Sequence, residues 1–228
     1  MNISKLEKTI EYEFKNRDLL KEALTHRSYL NENPRWSVPH NERLEFLGDA
    51  VMELAVTEEL YNRYPKKPEG ELTPIRAALV NHVSLALAAK EIELESFVLL
   101  SRGEKKDTHR SRDAILANAT EALIGAVYLD SNYATIKKFI NKFIMAHLDT
   151  VLKEGSYRDA KSLLQEKLQA EDKITPIYKI LEQEGPEHQK YFKVGVFSGK
   201  KQLATGEGYS KQEAELAAAA EALSSRPS

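Results

Sequence analysis

The apolar residues of this chain change their period once, and that change constrains the fold more than any other feature. Up to about residue 152 they recur at three- and four-residue spacings, the period of helices with one buried face. After Asp159–Gln169, itself helical in pattern, the period becomes two in Tyr178–Glu184 (YKILEQE), Tyr191–Phe197 (YFKVGVF) and Gln202–Tyr209 (QLATGEGY). Turn residues separate these runs, Glu184-Gly185-Pro186 after the first and Ser198-Gly199 after the second, so they read as three strands. Lys211–Leu223, rich in alanine, closes as a helix. The spacing predicts an all-α N-terminal domain over 1–152, a linker over 153–157, and a small α+β domain of order α-β-β-β-α over 158–226.

Within the helical half, the pattern predicts helices over Ile3–Phe14, Lys15–Leu30, Asn41–Tyr64, Leu72–Ala89 (interrupted near Pro74), Ala114–Leu129 and Ile136–Leu152. Asn31–His40 carries two prolines and is expected to be a loop; it holds the chain's single tryptophan, Trp36. Lys105–Asp113, with Lys105, Lys106, Arg110 and Arg112, is expected to be a basic loop. His26, a lone histidine in a helical run, reads as a hydrogen-bonded structural residue rather than a catalytic one.

Two segments carry chemistry. Asn41–Val51 (NERLEFLGDAV) places Glu42, Glu45 and Asp49 within roughly 60° of one another on a helix, with Leu44, Leu47, Val51 and Leu54 opposite. Like charges at helical spacing repel, and a divalent cation is the simplest compensation. Ala114–Leu129 (AILANATEALIGAVYL) is the most apolar run, yet too short to cross a bilayer, so it is expected to be a buried central helix. Asn118 and Glu121 lie on one face of it. An unpaired buried carboxylate is costly, so Glu121 needs a partner, and a metal shared with Glu45 and Asp49 would provide one. Gly48 and Gly125 would let the two helices approach closely.

Composition narrows the chemistry. With 42% hydrophobic and 30% charged residues the chain is expected to be soluble, with no membrane span. It has no cysteine, which excludes disulfides, thiolate metal sites and a cysteine nucleophile. The N-terminus has no signal-peptide core, so a cytoplasmic location is expected. A formal net charge of −2 does not mark a nucleic-acid binder in bulk; only the local distribution of cations could do so.

NERLEFLGDAV followed by ILANATEALIGAVYLD resembles the catalytic domain of bacterial ribonuclease III. SLLQEKLQ, EGPEHQKYF and GEGYSKQEAELAAA resemble a double-stranded-RNA-binding domain, and together the motifs cover nearly the whole chain. The resemblance implies an all-helical nuclease that forms a homodimer and cuts both strands of double-stranded RNA, processing ribosomal RNA precursors and other structured transcripts. It implies a Mg²⁺ site, with Mn²⁺ a plausible substitute, at Glu45, Asp49, Asn118 and Glu121. Glu42 and Glu69 are implied as accessory acids and Phe46 as a dimer contact. In the C-terminal domain it implies RNA contacts at Ser162, Gln165, Glu166 and Gln169, at a loop centred on Pro186, Glu187 and His188, and at Lys211 and Gln212. Carboxylate-held magnesium suits phosphodiester hydrolysis, since it both activates water and stabilises charge on phosphoryl oxygens.

Two positions depart from the family pattern. Asn118 stands where the family has Asp, which removes one charge from the metal site and predicts reduced or more metal-demanding cleavage. Gln212 stands where the family has a second lysine, although Lys200 and Lys201 lie in the preceding turn. Arg158–Ser228 holds 11 basic and 11 acidic residues, so binding is expected to be weak and salt-sensitive. Two other readings stay open from sequence: a double-stranded-RNA-binding protein with impaired or absent cleavage, and a helical metallophosphatase whose second domain binds protein.

Overall fold

The computed structural model describes residues 3–106, 109–154, 160–171, 173–186 and 190–225. The chain divides into two compact units, Met1–Tyr157 and Arg158–Ser228.

The first unit is helical: α1 (Ile3–Ile10), α2 (Arg17–Ala23), α3 (Arg27–Glu32), α4 (Glu42–Arg63), α5 (Glu69–Val80), α6 (His82–Glu91), α7 (His109–Asp130), α8 (Tyr133–Phe143) and α9 (Leu148–Glu154). Its centre is α4 packed along α7, which no other pair of helices matches in extent. Met52, Ala55, Val56 and Leu60 of α4 and Leu116, Ala119, Leu123 and Val127 of α7 are buried, joined by Leu6, Leu20, Leu24, Leu79 and Leu85 from the surrounding helices. Glycine sets the approach of the central pair. A Cβ on Gly48 would stand 1.8 Å from the Glu121 carbonyl oxygen, and one on Gly125 would stand 2.3 Å from that of Leu44.

Polar anchors fix one end of this pair, where α4 begins and α7 ends. Asn132 caps α8 by accepting from Thr135 N–H. Just before it, the Asp130 carboxylate accepts from Tyr12 O–H at 2.7 Å and from the Lys15 and Asn16 amides at 2.8 Å each. The last turn of α7 is thereby tied to the N-terminal segment. At the start of α4, Asn41 is buried; its amide N–H donates to Thr25 C=O at 2.9 Å and its side chain to Ala23 C=O.

Several expected elements are corrected. The helix expected over Lys15–Leu30 is two, because Thr25 forms a β-bridge with Leu99 and His26 N–H donates to Leu99 C=O. His26 then caps α3, its ring nitrogen accepting from Ser28 N–H, which fits the structural reading of this histidine. The break expected near Pro74 falls at Asn81 instead. Pro74 sits inside α5, while Asn81 adopts extended dihedrals and caps α6 through Ser84 N–H. α7 begins earlier than expected and absorbs part of the basic stretch. Arg112 and Asp113 are helical, paired with Glu95 at 2.9 Å and Lys90 at 2.6 Å. The final helix of this half is broken by a 3-10 turn at Met145–His147. Leu54, expected on the buried side of α4, is exposed. It lies within roughly 80° of Phe46 and Tyr61, both also exposed, by helical geometry.

The second unit is α10 (Ala160–Glu171), β1 (Ile177–Glu184), β2 (Tyr191–Ser198), β3 (Lys201–Gly208) and α11 (Lys211–Ser224), in the order the period change predicts. The antiparallel sheet runs β1-β2-β3, with register shifts at Ile180/Glu182 and Val196/Phe197. Phe192, Val194 and Val196 face the helices, against Leu164 and Leu168 of α10 and Ala214, Ala218, Ala219 and Ala222 of α11. The alanines of α11 have a packing reason: a Cβ on Gly206 would lie 2.0 Å from Ala218 N, so helix and strand meet nearly backbone to backbone. Lys161 and Glu215 join the two helices at 2.6 Å.

Candidate active site

α4 and α7 bring three expected residues into electrostatic contact. Glu121 is buried at 8% exposure, between Thr120 and Ala122, which are also buried. Burial pushes its carboxyl up, and the charges of Asp49 and Glu45 push it further, to about 7. Neither a hydrogen bond nor a cation figures among the groups that shift it. Glu45, half-buried, is raised by burial first and then by Glu42; His82 pulls it down, and Asp49 adds a smaller upward push. Asp49 is exposed one turn further along α4.

The glycine pair explains why these groups meet. Helices of ordinary side chains pack with axes 8–10 Å apart, whereas Gly48 lies directly beneath Glu121 and lets the two acidic turns share one surface. Asn118, half-buried one turn before Glu121, belongs to the same stretch of α7. Among the described residues, no group of three or more His, Cys, Asp or Glu side chains converges closely enough to hold a metal ion. The donors nonetheless suit a hard divalent cation: carboxylate and amide oxygens, no thiolate, and one buried carboxylate lacking a counter-charge.

The remaining acids are placed differently. Glu42, exposed at the first turn of α4, lies 3.6 Å from Arg27 Nη1 and 3.8 Å from His40 Nδ1. Arg27 and His40 were not singled out from sequence; the only signal was a histidine two residues before Glu42. Glu69 opens α5, and its charge is not among those that shift Glu45 or Glu121. It lines a separate cleft of about 320 Å³ with Tyr61, Lys67, Leu72 and Arg76. Phe46, between Glu45 and Asp49, is 82% exposed. Trp36 braces the chain internally, since its indole N–H donates to Thr25 Oγ1 at 3.1 Å and its ring meets Tyr29 edge-on.

In the second unit Ser162, Gln165, Glu166 and Gln169 form the exposed face of α10, opposite Leu164 and Leu168. Lys211 and Gln212 are exposed in the first turn of α11, where the Ser210 hydroxyl caps the helix by accepting from Glu213 N–H and the Glu213 carboxylate accepts from Tyr209 N–H. Exposed backbone N–H groups at a helix start favour phosphate. Pro186 is exposed after β1, whereas Glu187 and His188 lie outside the described residues.

Comparisons with known proteins agree with this division. A Ribonuclease-III-like family model matches residues 16–148, and a double-stranded RNA binding motif matches residues 160–225. Ribonuclease 3 of Syntrophomonas wolfei is 47% identical over 213 residues, covering 92% of this chain and 89% of the relative. Ribonuclease 3 of Borreliella afzelii is 43% identical over 221 residues, covering 97% of this chain and 90% of the relative. A solved structure of the nuclease domain of ribonuclease III from Campylobacter jejuni superposes with a TM-score of 0.58 at 42% identity, covering 63% of this chain and 96% of that one. Among the described residues no single helix is long and apolar enough to cross a membrane, although the bent pair α5–α6 passes that test by length and composition. A helical nuclease unit and an RNA-binding unit, matched in order along nearly the full length of these relatives, place the chain in the ribonuclease III family as a double-strand-specific endoribonuclease.

Proposed function

We propose that the protein is a magnesium-dependent endoribonuclease that cleaves double-stranded RNA as a cytoplasmic homodimer, acting on ribosomal RNA precursors and other structured transcripts. One observation supports the metal dependence: Glu121 is buried beside Glu45 and Asp49, and no cationic side chain is among the groups that shift its carboxyl. The carboxylates of Glu45, Asp49 and Glu121 and the amide oxygen of Asn118 would hold the ion, with Mn²⁺ able to replace Mg²⁺. A bound divalent ion supplies a more acidic water and positive charge against the phosphoryl and leaving oxygens.

The chain's own residues do the rest. Glu121, whose carboxyl burial and the neighbouring acids raise to about 7, would hold the ion as a carboxylate and so would give up its proton to bind it. Glu42, between Arg27 and His40, adds to the charge felt by Glu45 and biases that carboxyl toward a cation. Glu69 is assigned an accessory role from its own cleft. Phe46 has no partner for its ring within the described chain and is suited to burial in a second copy. In the second unit, the exposed face of α10 and the Pro186–His188 loop are assigned to minor grooves. Lys211 and Gln212 are assigned to the phosphates between them.

The test incubates a long RNA duplex with Mg²⁺, with Mn²⁺ and with chelator, alongside a single strand of the same sequence. The expected result is cleavage of the duplex alone, only with metal, and a loss of at least about a hundredfold in Glu121→Gln. Cleavage in chelator, or undiminished cleavage by Glu121→Gln, overturns the metal site. Ribosomal precursor transcripts left intact while a plain duplex is cut would remove the assigned substrate.

A further inference from the structure

The start of α4 is packed against the break between α2 and α3. The Asn41 amide N–H donates to Thr25 C=O at 2.9 Å, and its side chain donates to Ala23 C=O at 3.3 Å. Arg27 follows that break and lies between two anchored neighbours. His26 N–H donates to Leu99 C=O at 3.1 Å, and the Ser28 hydroxyl accepts from Ser101 N–H at 3.1 Å. The backbone of Arg27 is thus held on both sides, while its side chain reaches outward at 72% exposure.

What it reaches is Glu42. Arg27 Nη1 faces one oxygen of that carboxylate at 3.6 Å, and His40 Nδ1 faces the other at 3.8 Å. His26 belongs to the same group: burial lowers its pKa, and the charges of Glu104, Arg27, Glu42 and His40 act on the same ring. Of these basic side chains only the guanidinium is charged at every working pH. Yet Glu42 also belongs to the acid face of α4, three positions before Glu45 and seven before Asp49. It is the strongest charge acting on Glu45. Arg27 is not among the groups that shift Glu45, so its influence there passes through Glu42.

One carboxylate is therefore shared between a basic group on the α3 side and the acids of α4. We propose that Arg27 is a positioning residue for the cleavage site: it holds Glu42 on the α3 side of α4 and so limits the negative charge that this helix offers to a divalent cation. Among the described residues no three acids converge on an ion-sized site, in keeping with a Glu42 held aside. Asn118 makes the hold matter more. With an uncharged amide there, Glu45, Asp49 and Glu121 carry the charge of the site, and Glu42 is the next acid along the same face. The inference rests on the assignment of the metal to Glu45, Asp49, Asn118 and Glu121.

Mn²⁺ binding to the full chain without RNA is read from the electron paramagnetic resonance of the free ion at fixed pH and salt. Arg27→Ala is expected to tighten binding about two- to fivefold, the range that an exposed ion pair can supply. Arg27→Lys keeps the charge and is expected to bind as the parent does. In a Glu42→Gln background Arg27→Ala is expected to change nothing, because the carboxylate it acts through is gone. Arg63→Ala controls for net charge: it removes a cation paired with Glu59 about 30 Å away along α4 and is expected to leave binding unchanged. Unchanged binding in Arg27→Ala overturns the role. So does tightening that persists with Glu42→Gln or that Arg63→Ala reproduces. Glu121→Gln separates this inference from the metal site itself, since loss of a ligand should weaken binding at least about tenfold. If it does not, the metal site fails and the role of Arg27 with it; if it does while Arg27→Ala changes nothing, only the role of Arg27 fails.

Discussion

Gly48 of α4 lies so close to α7 that a methyl group in place of its hydrogen would stand 1.8 Å from the carbonyl oxygen of Glu121, the residue whose carboxyl is most strongly perturbed in the nuclease unit. Packing and chemistry meet at this contact. The obstacle is helix backbone on both sides, which cannot rotate away as a side chain could. Gly48→Ala must therefore push the helices apart, at a cost of about 3 kcal/mol by the scale of overpacked cores. Gly125→Ala, facing the Leu44 carbonyl at 2.3 Å, should cost a similar amount. Urea unfolding followed by circular dichroism is expected to give lower midpoints for both. An unchanged midpoint in Gly48→Ala would mean that the helices are not held this closely.

A pH signature should follow from Glu121 when divalent ions are chelated. Its carboxyl, ordinarily near 4.5, is raised to about 7 in the fold by burial, then by Asp49 and Glu45. An acid with a raised folded pKa leaves stability fully present below the unfolded value and removes it as pH rises through the folded one. The metal-free nuclease unit is therefore expected to lose on the order of 3 kcal/mol between pH 4.5 and 7 from this group. Glu121→Gln should remove that slope and be the more stable protein at pH 8 in chelator. Parallel stability profiles for the two proteins would refute the assignment.

How far these features were legible in the sequence depends on whether local pattern or distant pairing decides them. The strands were legible because alternation and Gly-containing turns are local signals, and β1–β3 fall within a residue or two of their expected bounds. The acid-bearing helix α4 and the Gly48–Gly125 approach were legible because small residues stood opposite each other in two long apolar runs. The split between α2 and α3 was not, since it is set by the Thr25–Leu99 bridge, a pairing across more than 70 residues. Pro74 misled because it lies in the second turn of α5, where a proline removes one backbone hydrogen bond without ending the helix, whereas Asn81, a strong cap, drew no notice. In the site, the spacing of Glu42, Glu45 and Asp49 was readable; the hold of Arg27 and His40 on Glu42 was not, because Arg27 comes from a helix that sequence had merged with another.

Asp130 should give stability of the opposite sign with pH. Burial acts to raise its carboxyl, but the Tyr12 hydroxyl and then the Asn16 and Lys15 amides outweigh it and hold the group below its usual range. The contribution is present above the ordinary value of 3.8 and lost as pH falls through the lower folded one. Asp130→Asn is expected to cost about 1–2 kcal/mol at pH 7, a figure discounted for the group's partial exposure, and to flatten the acid limb. It should also remove the upward push on Tyr12, whose hydroxyl is raised to about 12 by burial and then by Asp130. Spectrophotometric titration of the tyrosines checks the second effect, and urea midpoints at pH 3 and 7 check the first.

Phe46 separates folding from assembly. Because its ring is 82% exposed, Phe46→Ala should leave the thermal midpoint of an isolated subunit nearly unchanged. If the ring is buried between two copies, the same change weakens the dimer by roughly tenfold or more, as truncation of an aromatic anchor does. Sedimentation equilibrium across a concentration series reads this directly. An identical monomer–dimer distribution in the two proteins would exclude Phe46 as an anchor.

Asn118 offers the sharpest test of how the site gathers charge. It lies one helical turn before Glu121, and its amide can offer an oxygen to a hard cation but no negative charge. Asn118→Asp adds a carboxylate one turn before Glu121, and under the proposed metal site this has opposite consequences in the two metal states. In chelator the added charge has no counter-ion, so stability at pH 8 should fall below that of the parent, by about 1 kcal/mol for one more like charge at a partly buried position. With magnesium the order reverses: affinity for the ion rises, and half-maximal cleavage of a long duplex should need at least about threefold less Mg²⁺ than the parent requires. A thermal series with and without Mg²⁺ gives the first comparison and a cleavage titration the second. Equal cleavage rates for the two proteins across the whole magnesium range would mean that residue 118 does not face the metal, and would leave Glu45, Asp49 and Glu121 as the only groups to hold it.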